Sequence, residues 1–268
     1  MELSVDGRTA YAYTGGKPFD PTLPCVVFIH GALHDHSVWT LLARWIAHHG
    51  HSVLAIDQPG HGRSTGPVLP SVEALAHWTL ALLDAADVQH AALVGHSMGS
   101  LIALEAAGSA PAAARVSHLV MVGTAYPMKV SDALLATARD APLKAIDMVN
   151  AFSFSTTAAK PSYPGPGTWL HGSNRVLMQR MQAGQHECNL FQHDFEVCNR
   201  YARGMEAAAG VHCPVTLILG AQDQMTAPKA ARDIAAALKA RVVTLPGGHS
   251  LMQELPDAVL NVLRSALA

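Results

Sequence analysis

The stretch Ala91–Ala92–Leu93–Val94–Gly95–His96–Ser97–Met98–Gly99–Ser100 constrains this chain more than any other, together with the small-residue run Leu101–Ala107 behind it. The apolar segment Ala91–Val94 has strand length and cannot run on through Gly95. The alanine- and leucine-rich segment after Gly99 favours a helix. Gly95 and Gly99 bracket Ser97 in G-x-S-x-G spacing, where a strained strand-to-helix turn lifts a serine hydroxyl clear of the backbone. Glycine is required at both flanks because a Cβ there would strike the neighbouring strand or helix. Ser97 is therefore a candidate nucleophile, and the rest of the chain must supply a base and an acid.

Around this turn, apolar runs alternate with helical periodicity. Leu3–Val5 and Arg8–Thr14, broken by Asp6–Gly7, read as a hairpin. Cys25–His30, Ser52–Asp57, Val116–Val122, Pro214–Gly220 and Arg241–Leu245 read as strands. Helices are expected over Val38–His48, from the Ser71 cap to Leu83, and over Pro228–Leu238 and Asp257–Leu267. Continuous apolar strands separated by helices imply an α/β fold, a mostly parallel, doubly wound sheet covered on both faces. The alternation fails between about Ala125 and Val211. Helical stretches occur there at Ser131–Arg139, Ala141–Phe152 and Asn174–Ala183, interrupted by the Pro/Gly-rich loop 161–167. The expected organisation is a core of residues 1–124 and 212–268 with a helical cap inserted at 125–211, whose loop 160–167 is a candidate gate.

Composition narrows the function. Half of the 268 residues are hydrophobic, 14% are charged, and the net charge is −2. That balance offers no footprint for nucleic acid or an anionic membrane. No signal peptide and no bilayer-spanning run is visible, and four scattered cysteines lack metal-ligand spacing. A cytoplasmic protein acting on a small molecule, as monomer or homodimer, is the expectation. No cofactor and no metal are implied: the histidines lack His-x-x-x-His or Cys/His patterns, and no phosphate-loop or dinucleotide glycine spacing occurs.

In an open parallel sheet, ligands gather outside the carboxyl ends of the strands. The loops there carry His30–Gly31–Ala32, Asp57, Ser97, Gly123–Thr124, Asp223 and His249. A serine needs an adjacent histidine as base and a carboxylate to fix that histidine's tautomer. His249, in Pro246–Gly247–Gly248–His249–Ser250, is the histidine in a loop after a late strand. Asp223, after the preceding strand, is the acid expected with it. Asp57 competes for that role but precedes the nucleophile and sits in a tight Asp-x-Pro-Gly-His-Gly turn.

The order Ser97, Asp223, His249, with His30–Gly31–Ala32 ahead of Trp39, Asp57–Ser64 and Gly248–Ser250, resembles the α/β-hydrolase fold family across nearly the whole chain. The resemblance implies an oxyanion hole made by the backbone N–H of Met98 and that of Ala32, with Leu33 as the nearby alternative. It also implies a serine hydrolase cleaving a carboxylic ester of a small to medium, largely apolar substrate through an acyl-enzyme. The aspartate nucleophile of dehalogenases and epoxide hydrolases is missing. Two alternatives stand beside it. One is a carbon–carbon hydrolase of ring-fission diketones, using cap groups such as Asn150, Arg175 and Arg180. The other is a non-catalytic binding protein on the same scaffold. Leu33, Phe152, Trp169 and Met225 are the expected pocket residues. His30, His61 and His96 are expected to support loops.

Overall fold

The computed structural model describes residues 1–109, 114–156, 169–185 and 187–268; the candidate gate at 160–167 lies outside them. Strands β1 (Glu2–Val5) and β2 (Arg8–Tyr13) form the hairpin, with Val5 opposite Arg8. Asp6 and Gly7 both take left-handed φ, 50° and 73°, as a two-residue turn matching the strand twist requires. Then follow β3 (Cys25–Ile29), α1 (Thr40–Ala47), β4 (Ser52–Ile56), α2 (Val72–Ala85), β5 (Ala91–His96), α3 (Met98–Gly108) and β6 (Val116–Val122). Among the described residues, five helices intervene before β7: α4 (Asp132–Asp140), α5 (Pro142–Phe152), α6 (Leu170–Gly184), α7 (Leu190–Arg200) and α8 (Gly204–Gly210). The chain ends with β7 (Val215–Gly220), α9 (Arg232–Ala237), β8 (Arg241–Leu245), α10 (Leu251–Glu254) and α11 (Pro256–Leu267).

The eight strands form one sheet in the order β1-β2-β4-β3-β5-β6-β7-β8. Its β1 and β2 pairings are antiparallel and all others are parallel. The continuous apolar runs are explained by burial on both faces: every residue of β3, β4, β5 and β7 is buried. Val27, Leu54, Leu93 and Leu217 point into the core beneath α2 and α3. Val26, Val53, Val94 and Ile218 point into the opposite core, with Trp39, Ile46 and Leu263. Fully burying each such side chain contributes roughly 1.5–3 kcal/mol.

α3 is buried on every side except at Gly108, so its composition is small and apolar throughout rather than amphipathic. A Cβ on Gly108 would meet the backbone carbonyl of Ala207. α8 therefore packs on α3 as a flanking helix of the sheet. The remaining inserted helices share a separate core of Ile146, Met178, Leu190 and Phe191, into which Leu33 projects from the loop after β3. The periodicity of Leu190–Arg200 and Gly204–Gly210 was legible as helix and is absent from the expected elements above.

Candidate active site

β5 delivers Ser97 at a turn with φ 52° and ψ −120°, a left-handed geometry costly for any residue with a Cβ. The turn is held from both sides. Ser97 N–H donates to Val122 O at 3.0 Å, and Ser100 N–H donates to Ser97 O at 2.8 Å. A Cβ on Gly95 would collide with the Gly99 carbonyl, and one on Gly99 with the Ile29 carbonyl. Both flanking glycines thus serve close backbone approach, as the G-x-S-x-G spacing requires.

β7 and β8 bring Asp223 and His249 together. His249 Nδ1–H donates to Asp223 Oδ2 at 2.9 Å, with both side chains buried. The carboxylate is further held by the N–H groups of Met225 and Thr226 on Oδ1, each at 2.8 Å, and by the Thr226 hydroxyl on Oδ2 at 2.7 Å. Burial alone would raise the Asp223 pKa. The His249 partner and these donors outweigh it and hold the carboxyl well below the usual carboxylate range. The His249 loop is tied down by the N–H groups of His249 and Ser250, both donating to Ser153 O at 3.0 Å. Gly248 N–H donates to Glu254 Oε1 at 2.9 Å.

Ser97 and His249 line one cavity of about 230 Å³, together with Ala32 and Met225. Its further walls come from Met128 in the loop after β6, Val149 of α5, Met178 of α6 and Phe195 of α7. Met98 opens α3 directly after Ser97 and is buried. Leu33 N–H donates to Asp194 Oδ2 at 2.8 Å, so that donor is already committed and only Ala32 is left of the two oxyanion candidates in this loop.

Three expected pocket residues are corrected. Leu33 is fully buried in the core of the inserted helices and does not line the cavity. Phe152 and Trp169 are 47% and 52% exposed and lie outside its lining. Helical register explains Phe152: Val149, on the buried face of α5, takes the place that the aromatic residue was expected to fill. The polar groups considered for enolate chemistry are engaged elsewhere. Arg175 pairs with Asp147, Arg180 pairs with Asp35 at 2.8 Å, and Asn150 bonds Asn174 and His171.

His30, His61, His96 and Asp57 make their hydrogen bonds to loops around the site. Asp57 accepts from Arg63 N–H at 2.8 Å, closing its own turn, and from His36 N–H at 2.7 Å, tying that turn to the segment after β3. His30 accepts from Gln58 N–H at 3.2 Å, and burial pushes its pKa down to about 4. His96 Nε2–H donates to His249 O at 3.0 Å, and burial holds that ring neutral, far below the usual histidine value. His61 faces acceptors on both ring nitrogens, Pro59 O at 3.1 Å and Asp194 Oδ2 at 2.9 Å. Burial would lower its pKa, but the Asp194 charge raises it overall, so this is a buried imidazolium–carboxylate pair.

Thr226 and Asp194 are the supporting residues that sequence reasoning missed. Thr226 stands three residues after Asp223, a spacing at which a hydroxyl and an N–H can both reach back to an aspartate. Asp194 is a carboxylate on the buried face of α7, beside Leu190, Phe191 and Phe195, and a lone acid on an apolar face was its signal.

The chain belongs to the alpha/beta hydrolase family, whose model matches residues 26–262. It is 24% identical over its whole length to the esterase YbfF of Escherichia coli, covering 99% of that protein. It is 34% identical over 127 residues, 47% of this chain, to the dihydrolipoyllysine-residue acetyltransferase component of the acetoin cleaving system of Pseudomonas putida. That match covers 32% of the relative, about a third of its length. Among solved structures, the enol-lactonase from Burkholderia xenovorans superposes with a TM-score of 0.80 at 22% identity, covering 100% of this chain and 99% of the other. Among the described residues, no helix is long and apolar enough to cross a membrane.

Proposed function

We propose that this alpha/beta hydrolase is a serine esterase acting on a small to medium, largely apolar carboxylic ester through an acyl-enzyme. The observation that carries the reading is the buried 2.9 Å contact between His249 and Asp223, set on the cavity that Ser97 also lines. In this reading Ser97 Oγ attacks the ester carbonyl while His249 Nε2 takes its proton. Asp223 holds the imidazole with Nδ1 protonated and stabilises the imidazolium. The N–H groups of Met98 and Ala32 donate to the oxyanion of the tetrahedral intermediate. His249 returns the proton to the departing alcohol, and a second cycle with water releases the acid. The cavity volume of about 230 Å³ and its mostly apolar walls support a compact, largely apolar substrate. Helices α4–α7 are proposed as a cap, since Met178 and Phe195 reach the cavity from them, while α8 goes with the core.

The test is hydrolysis of p-nitrophenyl butyrate by the wild type and by Ser97→Ala, with fluorophosphonate labelling of both. Turnover and labelling in the wild type, both lost in the variant, are expected. Full activity in Ser97→Ala would overturn the assignment.

A further inference from the structure

The loop that carries His249 is held from outside the sheet. Its N–H groups at Gly248, His249 and Ser250 all bond beyond β8. Those of His249 and Ser250 donate to the Ser153 carbonyl at 3.0 Å each, and that of Gly248 donates to Glu254 Oε1 at 2.9 Å. Ser153 caps the C-terminal end of α5, one of the inserted helices, and Glu254 closes α10 just beyond the histidine.

Glu254 holds both sides of this contact. Besides Gly248, its carboxylate accepts the Ser155 N–H on both oxygens at 3.2 Å, and the Ser155 hydroxyl on Oε2. One side chain thus grips the end of α5 and the His249 loop together. Glu254 is 5% exposed, and a carboxylate kept from water is stable only where donors surround it. The approach leaves no room for a side chain at 248: a Cβ there would stand 2.6 Å from Ser155 N and 2.7 Å from Glu254 Oε1. On its other side the His249 peptide is fixed through its carbonyl, which accepts His96 Nε2–H at 3.0 Å. The aim of the imidazole at Asp223 therefore depends on where residues 153–155 sit. Val149 and Ser153, from the same end of α5, also line the cavity.

We infer that Glu254 is a positioning residue for His249. It clamps the end of α5 to the His249 loop, so that seating of the inserted helix and alignment of the base are one event. This assignment rests on the serine-esterase reading above. Glu254 acts through Gly248 and Ser155, and its effect falls on the reaction step rather than on substrate binding, because a small misplacement of the base is costly in rate.

The experiment begins with Glu254→Gln, which keeps the size of the side chain but turns an N–H toward one of the donors. In protein folded by circular dichroism, kcat on p-nitrophenyl butyrate is expected to fall about tenfold with KM near the wild-type value. Fluorophosphonate labelling of Ser97 slows by a similar factor. The far-downfield proton resonance of His249 Nδ1–H broadens, which a loss of stability alone would not cause. Ser155→Ala removes one hydroxyl from the opposite end of the clamp and is expected to lower kcat about threefold, as for one lost hydrogen bond. The double variant falls no further than Glu254→Gln alone, because both changes act through one contact. Where Glu254→Gln does not fold, Ser155→Ala decides the question by the same split between kcat and KM. Wild-type kcat with an unchanged resonance in either folded variant overturns the assignment, as do losses that multiply in the double variant. Absence of both labelling and hydrolysis in the wild type overturns the esterase reading and this assignment with it, so labelling of the wild type separates the two failures.

Discussion

Asp194 Oδ2 accepts the N–H of Leu33 at 2.8 Å, joining residues 161 positions apart: one on α7, the other next to the Ala32 candidate oxyanion donor. Leu33 stands at φ 58°, a left-handed conformation that a leucine adopts only where its surroundings over-determine it. The same carboxylate oxygen carries the His61 imidazolium, also buried. The inserted helices therefore set the backbone that presents Ala32.

Asp194→Ala leaves both an unpaired His61 and an unpaired Leu33 N–H in the interior. Breaking a buried pair from one side costs roughly 3–5 kcal/mol. The expected outcome is a marked drop in the denaturant midpoint. In folded protein, kcat on p-nitrophenyl butyrate falls by about tenfold with KM less affected. A variant with wild-type kcat would show that the Leu33 bond does not position the donor loop.

Asp223→Asn keeps the size of the side chain but can present an amide N–H to His249 Nδ1. The imidazole then adopts the tautomer with its proton on Nε2, facing the nucleophile. A fall in kcat on the order of 10⁴ is expected, with the fold intact by circular dichroism.

Thr226→Val is nearly isosteric and removes only the hydroxyl 2.7 Å from Asp223 Oδ2. One charge-assisted hydrogen bond is lost from the acid that orients His249, and kcat is expected to fall by roughly tenfold. Steady-state kinetics with KM near the wild-type value would place the effect on the transition state rather than on substrate binding.

Stability depends on pH through the buried histidines. His30, His34 and His96 have folded pKa values below the ordinary imidazole value, each chiefly from burial. Their contribution is present above about pH 6.5 and is lost as pH falls toward the folded values, because the unfolded chain takes up protons that the native state refuses. With the His30 value at about 4, that residue alone accounts for about 2 kcal/mol between pH 7 and pH 5. His61, whose pKa is raised, works in the opposite sense and offsets part of the loss. Guanidinium midpoints at the two pH values are expected to be lower at pH 5, and a flat profile would contradict the burial argument.

Local rules were enough for much of this protein. Continuous apolar strands buried on both faces, the Asp6–Gly7 turn, and glycines spaced around Ser97 are properties of neighbouring residues, and they declare the sheet and the turn directly. Ser97, Asp223 and His249 were legible as candidates because parallel strands deliver their following loops to one edge. What tertiary structure alone decided was which side chains meet across long separations. Helical register turned Val149 and Met178 into the cavity, while Phe152 and Trp169 are about half exposed and outside its lining. The bond from Asp194 to Leu33 and the pairing of His61 with Asp194 depend on helices docking in one relative position. No sequence period encodes that docking, because it comes from the fit of whole surfaces in three dimensions. The opening stretch thus named a candidate nucleophile from its own residues, and the packed chain supplied its surroundings.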